Sequence, residues 1–318
     1  MISRPLLAIW SVLVLLVFAC RMGGQAKPNT DRAWHTSRPP KGRRDETRLP
    51  TEADIRKIQA AAPTQAPAKP LKERRVLVWG RVWTHIPNGT AARAIEILGK
   101  QTGAFTTTLS DDPEMLGPDS LKGFDAIVLN NLHEREPLLP DGFKALPRQA
   151  QAAARKRQRE LRKSLLDFAA GGKGVVGIHA ATAACQGWKE YGRMIGGYYG
   201  GHIYKDVVIK LDKPAHPINA CFAGKPFRIK DEVYLFREPY SRKDLTVLLS
   251  LDLTAMADPG KRPDKDYAVS WIRSYGQGRV FYCTLGHAPQ TYWNPQFLRH
   301  LLAGIQYATG DLKAKPGT

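Results

Sequence analysis

The sequence predicts an α/β fold: a mainly parallel sheet flanked by helices, with extra antiparallel strands in its second half. Three observations predict it. Between about residues 74 and 180, short apolar runs ending in Gly or a polar residue alternate with helical periods. Buried parallel strands read this way, and strand–helix alternation gives a parallel sheet covered on both faces. After about residue 200 five strand-like runs succeed one another. With 43% hydrophobic and 24% charged residues among 318, the chain can bury a core, which excludes wholesale disorder.

Arg75-Val76-Leu77-Val78-Trp79-Gly80 is the first strand, stopped by Gly80. Thr90 to Thr102 places Ala91, Ala94, Ile95 and Leu98 on one helical face, with Thr90 as expected N-cap and Gly103 as stop. Phe105 to Leu109 is the second strand. Phe124 to Asn130 is the third, ending in Asn130, Asn131 and His133. The stretch 141–170 reads as a long helix, and Gly174 to Ala180 as a fourth strand that runs into His179. Then come Asp206–Leu211, Val233–Phe236, Val247–Leu251, Ala268–Arg273 and Arg279–Thr284 as strands, with Ser274 to Gly278 as a hairpin connection. A helix over 295–308 closes the domain, which is expected to span 74–309 with a tail at 310–318.

The N-terminal part reads as an address. Arg4 precedes an apolar run, Leu6 to Phe18, too short for a spanning helix. Residues 1–26 are therefore expected to be an export signal, placing the protein in the periplasm or cell envelope. Val17-Phe18-Ala19-Cys20 resembles a lipobox, which would make a lipoprotein anchored at Cys20; cleavage after Gly24-Gln25-Ala26 is the rival. Residues 27–73 are expected to be a basic, Pro-rich, disordered linker.

The formal charge is +19. The leading segment 27–75 and the block 144–163 each hold a net +7, so the rest of the domain is nearly balanced. Neither block interleaves aromatics with its cations as a nucleic-acid surface would. No specific nucleic-acid partner is expected, only weak contact of the linker with an anionic surface. Four Cys without a Cys-x-x-Cys pair exclude a zinc ribbon or thioredoxin-type motif. An oxidising compartment would permit one disulfide among Cys185, Cys221 and Cys283.

Ligands of open α/β sheets bind beyond the carboxyl ends of the strands. The polar residues there are His85, Asn130, Asn131, His133, His179 and His287. The run Gly177-Ile178-His179-Ala180-Ala181 has the shape of a nucleophile elbow with His at its apex. A helix N-terminus is expected behind it, where an anion is favoured.

A series of motifs now resembles the trehalose-utilisation (ThuA-like) family. They are Gly177-Ile178-His179, Trp188 with Tyr191, Ile195-Gly196-Gly197-Tyr198-Tyr199 with His202, Ala215-His216-Pro217, Asp231-Glu232-Val233-Tyr234-Leu235-Phe236, Gly278-Arg279-Val280-Phe281-Tyr282 with Leu285-Gly286-His287, and Phe297 through Ala308. The chain departs from the family where Tyr199-Gly200-Gly201-His202-Ile203 lacks the Pro that often comes after the His. The resemblance implies a class I glutamine amidotransferase-like, flavodoxin-like sheet. It also implies a role in using disaccharides, 3-keto sugars included. Amidotransferase chemistry itself is excluded, because it needs a Cys thiolate where this chain has His179.

Three readings of the site stay open. His179, His202 and His287 with an open position would suit a divalent ion such as zinc, with Glu232 or Asp231 nearby. Without metal, His179 or His287 would serve as general base and Glu232 as partner acid beside a sugar carbonyl. The third reading is a non-catalytic carbohydrate-binding or scaffold module that retains the fold. Strand alternation lets only one of Asp231 and Glu232 face the pocket, and Glu232 is favoured. Trp83, His85, Asn131, His133, Trp188, Tyr199, His202 and Trp293 are the candidate substrate contacts. Rings would stack on sugar C–H faces and polar groups would take the hydroxyls.

Overall fold

The computed structural model describes residues 49–81, 87–260 and 262–314. The expected export signal, Cys20, Trp83 and His85 lie outside these residues. Among the described residues no helix is long and apolar enough to cross a membrane.

Among the described residues nine strands form one sheet in the order β2-β1-β3-β4-β9-β8-β7-β5-β6. They are β1 (Arg75–Trp79), β2 (Thr106–Ser110), β3 (Ala126–Asn130), β4 (Gly174–Ile178), β5 (Tyr198–Leu211), β6 (Phe227–Arg237), β7 (Thr246–Leu251), β8 (Ala268–Tyr275) and β9 (Gly278–Cys283). β2, β1, β3, β4 and β9 are mutually parallel. β8, β7, β5 and β6 extend the sheet antiparallel. This is the fold class the sequence predicts. Val76 and Val78 point to one face and Leu77 and Trp79 to the other, as strand alternation requires. They join two separate apolar clusters, one on each side of the sheet.

The helices are α1 (Glu52–Ala61), α2 (Asn88–Thr102), α3 (Pro118–Leu121), α4 (Arg148–Ala170), α5 (Lys189–Ile195) and α6 (Pro295–Thr309). α2 begins two residues before the expected Thr90 cap and has no side-chain cap. α4 starts after Pro147, which cannot continue a helix backwards, so only part of 141–170 is α-helical. Its cations Arg155, Arg157 and Lys163 pair with Glu136, Glu114, Glu160 and Asp167. Three of the eight cations of the basic block are thus paired within the fold. β8 and β9 are joined by Gly276-Gln277, and φ of 57° at Gly276 is the left-handed geometry that a tight hairpin needs.

The expected linker is ordered from Leu49 onward, which corrects that expectation for 49–73. α1 is started by a capping box between Thr51 and Asp54 and anchored by Ile58, which is fully buried. The segment after α1 is strapped to the end of the domain. The Gln306 side chain bonds both backbone groups of Ala68, and Asp311 accepts from Leu71 N–H and from Arg74. Sequence periodicity missed α1 because one buried Ile supplies nearly all of its apolar face. Ile58→Ala is expected to cost about 2–4 kcal/mol. The test is the midpoint of denaturant unfolding at constant slope. An unchanged midpoint would mean that α1 docks without stabilising the domain.

Candidate functional site

β4 ends at the carboxyl edge of the sheet, and His179 stands at its tip, fully buried. Its φ is 44°, and the neighbouring Asn131 and Cys185 have φ of 49° and 54°. Three non-glycine residues in the left-handed region, all near one strand edge, cost of order 1–3 kcal/mol each and mark an over-determined site. The elbow is therefore real in backbone terms. The chain leaves it through a single 3-10 turn, His179–Thr182, and α5 starts only at Lys189. The expected helix N-terminus behind His179 is absent among the described residues.

The His179 ring is fixed on several sides. Pairing of β4 with β9 sets Ile178 beside Cys283, so Thr284 lies next to His179. Nδ1–H of His179 donates to the Thr284 carbonyl at 2.6 Å. In the neutral ring this leaves the lone pair on Nε2. The Tyr282 hydroxyl donates to the His179 carbonyl at 2.7 Å, and the Tyr234 ring packs on the imidazole with centroids 4.3 Å apart.

β5 and β6 form a long ribbon across the edge of the sheet. Tyr204 pairs with Glu232 and His202 with Tyr234, so all four share one face. A bulge between Tyr199 and Gly201 re-aims Tyr199 toward the same side, where its hydroxyl bonds His202 Nδ1 at 2.7 Å. Glu232 Oε2 lies 3.3 Å from His179 Nε2 and 3.3 Å from His287 Nδ1. The two imidazole nitrogens are themselves 3.3 Å apart. His202 Nε2 reaches only the other carboxylate oxygen, Oε1, at 3.4 Å, and its side chain is about half exposed.

These three equal distances form a triangle. A tetrahedral centre with bonds of about 2.05 Å holds its ligand atoms about 3.3 Å apart. The donor set His179, Glu232 and His287 therefore fits a tetrahedral divalent ion with one open position. The hydrogen bond from His179 Nδ1 to a carbonyl is the outer contact that orients a metal-ligating His. Glu232 takes the third place where the sequence alone puts His202. Burial works to raise the Glu232 carboxyl, but hydrogen bonds from the doubly protonated His179 ring and from His287, with their charges, outweigh this and hold it well below the usual range. For His287, burial works to lower the imidazole, and the Glu232 hydrogen bond with the charges of Glu232 and Asp231 raises it overall.

Asp231 faces the other way, as alternation requires, and is fully buried. Its carboxylate accepts from the N–H of Glu232, Gly286 and Ala288 and from the Thr291 hydroxyl. It ties the strand carrying Glu232 to the turn carrying His287. Gly286, with φ of 126°, lets that turn double back against the Tyr292 hydroxyl. Burial raises the Asp231 carboxyl, opposed by the His179 charge and these hydrogen bonds.

The remaining expected contacts scatter. Asn131 is buried and donates to the Tyr292 hydroxyl at 3.0 Å. His133 is half-buried after β3. Trp188 is 6% exposed and packs against Tyr191, with the Arg162 guanidinium over its ring; it belongs to the core. Trp293 packs toward α1, where the Lys57 ammonium lies 4.8 Å from its ring centre. Besides Tyr234 and Tyr199, a further aromatic residue stands beside the centre: Tyr204, half exposed, with its ring 5.8 Å from His287. Its alternation with His202 was the available signal, and two glycines before it hid the strand. Cys185, Cys221 and Cys283 are free, and burial pushes each thiol up to about 12.

The fold and the edge cluster define a class: a mixed-sheet α/β domain with an imidazole–carboxylate centre at the tip of a parallel strand. More narrowly, the chain belongs to the ThuA family, described as trehalose utilisation, whose model matches residues 75–308. That description points to carbohydrate utilisation. A putative ThuA-like protein from Bacteroides uniformis is similar in structure, with a TM-score of 0.57 at 19% identity over 76% of this chain and 93% of that one. One from Parabacteroides merdae gives 0.52 at 19% identity, covering 77% and 93%. A Salmonella typhimurium protein titled cytoplasmic protein STM3548 gives 0.51 at 13% identity, covering 74% and 98%. At these identities the likeness shows the fold alone. No curated protein matches the chain.

Proposed function

We propose that this chain is an exported, metal-assisted enzyme of carbohydrate utilisation that acts on a disaccharide or keto-sugar. One observation carries the chemistry: the 3.3 Å triangle of His179 Nε2, His287 Nδ1 and Glu232 Oε2. His179, Glu232 and His287 would hold a divalent ion, with zinc the best fit to two nitrogens and one oxygen. Such an ion supplies a Lewis acid for polarising a sugar oxygen.

The chain's own groups complete the reading. Tyr234 and the buried wall behind His179 exclude water from one side, and the open side lies toward His287 and His202. The Tyr199 hydroxyl and His202 Nδ1 share a hydrogen bond; in the tautomer where the hydroxyl donates, the ring proton sits on Nε2, aimed at Glu232 Oε1. A hydroxyl of a sugar arriving there meets an N–H donor and a carboxylate acceptor together. The apolar run Leu6–Phe18 supports export.

The test is turnover of a panel of disaccharides and their 3-keto derivatives by the zinc-loaded full chain, monitored by NMR. Product is expected from at least one, lost on chelation and restored by zinc. Sugar binding without any turnover would instead favour a non-catalytic carbohydrate-binding module.

A further inference from the structure

The geometry points to a second saccharide subsite on the β5–β6 ribbon, adjoining the His179–Glu232–His287 centre. It rests on the carbohydrate reading above. Pairing sets Tyr204 opposite Glu232, Asp206 opposite Lys230 and Val208 opposite Arg228. Alternate positions share a face, so Tyr204, Asp206, Arg228 and Lys230 continue the face that carries His202 and Glu232. Tyr204 is 50% exposed, and among the described residues only Leu49 and Leu71 are comparably exposed large apolar side chains. An exposed ring beside a buried polar centre is a surface without a protein partner of its own kind.

The next step along the ribbon, about 7 Å for two residues, reaches a cavity of about 270 Å³. Its lining is Asp206, Arg228, Ile229 and Lys230 from the ribbon and Gln290, Thr291 and Asn294 from the turn after His287, so it opens at the free edge of β6 and takes in residues of both faces. Ribbon and turn both begin at the centre and diverge from it. One carboxylate, two amides and two cations provide acceptors and donors in mixed directions, as a ring of hydroxyls requires. The Tyr204 face offers the apolar platform for the C–H face of a pyranose. The ligand class is therefore a disaccharide or longer saccharide. Its reacting unit lies at the centre, and the adjoining ring stacks on Tyr204 and turns its hydroxyls into the cavity.

The experiment is calorimetric titration of the full chain with glucose, trehalose and cellobiose. At least one disaccharide is expected to bind about 10-fold more tightly than glucose, the size of one good stacking contact with its hydrogen bonds. Tyr204→Ala, and separately the pair Asp206→Ala with Arg228→Ala, should each bring that ratio to within about threefold, while Tyr204→Trp keeps it. All three positions are exposed, so thermal melts should match the parent. Disaccharides that bind no tighter than glucose, or a ratio that survives both variants, overturn the subsite and leave the carbohydrate reading standing. Failure of the parent chain to bind any of the three sugars overturns the carbohydrate reading and the subsite with it.

Discussion

Glu232→Gln is expected to lower zinc affinity by more than about 100-fold, and His287→Ala to do the same, whereas His202→Ala should change it only a few-fold. Loss of an outer-shell partner already costs about 10–100-fold in metal affinity, so loss of a direct ligand must exceed that. Glu232→Gln keeps the shape of the side chain and removes the charge that faces two imidazoles. His287 keeps only 17% of its side chain exposed, so a melting curve of the variant separates loss of zinc from loss of folding. His202 contacts the cluster only through Glu232 Oε1 at 3.4 Å. Competition of each purified variant against a zinc chelator reads these affinities directly. The contrast between Glu232 and His202 decides the ligand set. If His202→Ala abolishes zinc binding and Glu232→Gln does not, the centre is the three-imidazole site that the sequence alone suggests. A parent chain that takes up no divalent ion leaves acid–base chemistry by the imidazoles, or plain sugar binding, as the reading.

His179 is legible in the sequence because an apolar strand running into small residues has one geometric meaning. His287 is legible in the same way, as a polar residue past the strand that β4 pairs with. Choosing Glu232 over Asp231 needs only alternation. Choosing Glu232 over His202 as third ligand needs the register of β5 against β6, which sets His202 beside Tyr234 and leaves it one rung from the centre. Register across a hairpin with a bulge is not written in spacing. The aromatic platform is misplaced in the sequence for a related reason. Trp188 and Trp293 have the composition of a sugar platform, but burial is decided by what packs on them, here Arg162 and α1. Tyr204 is hidden beside Gly200 and Gly201, which dilute the period of a strand.

Asp231→Ala is expected to be the most destabilising single change at the site, at about 4–6 kcal/mol. The carboxylate accepts four hydrogen bonds, at 2.9 Å from Glu232 N, 2.7 Å from Gly286 N, 2.9 Å from Ala288 N and 2.8 Å from Thr291 Oγ1. Each donor left buried without a partner costs about 1–3 kcal/mol, and partial relaxation of the turn keeps the total below the simple sum. For a domain of this size about 1 kcal/mol corresponds to roughly 2–4 °C, so the melting temperature should fall by about 10–20 °C. Asp231→Asn separates folding from positioning. It keeps one acceptor oxygen and sets an NH2 group against the remaining donors, for about half the loss of stability. Its turn would still fold, but His287 would no longer be held in register with Glu232, and zinc affinity should drop by about 10–100-fold as for an outer-shell residue. Thr291→Val removes one bond only and should cost about 1 kcal/mol with little effect on zinc. Melting curves and chelator competition on the three variants make the test. If Asp231→Asn loses stability but keeps the parent's zinc affinity, Asp231 is a structural clamp and not a positioning residue. If it keeps both, the buried carboxylate does not hold the His287 turn at all.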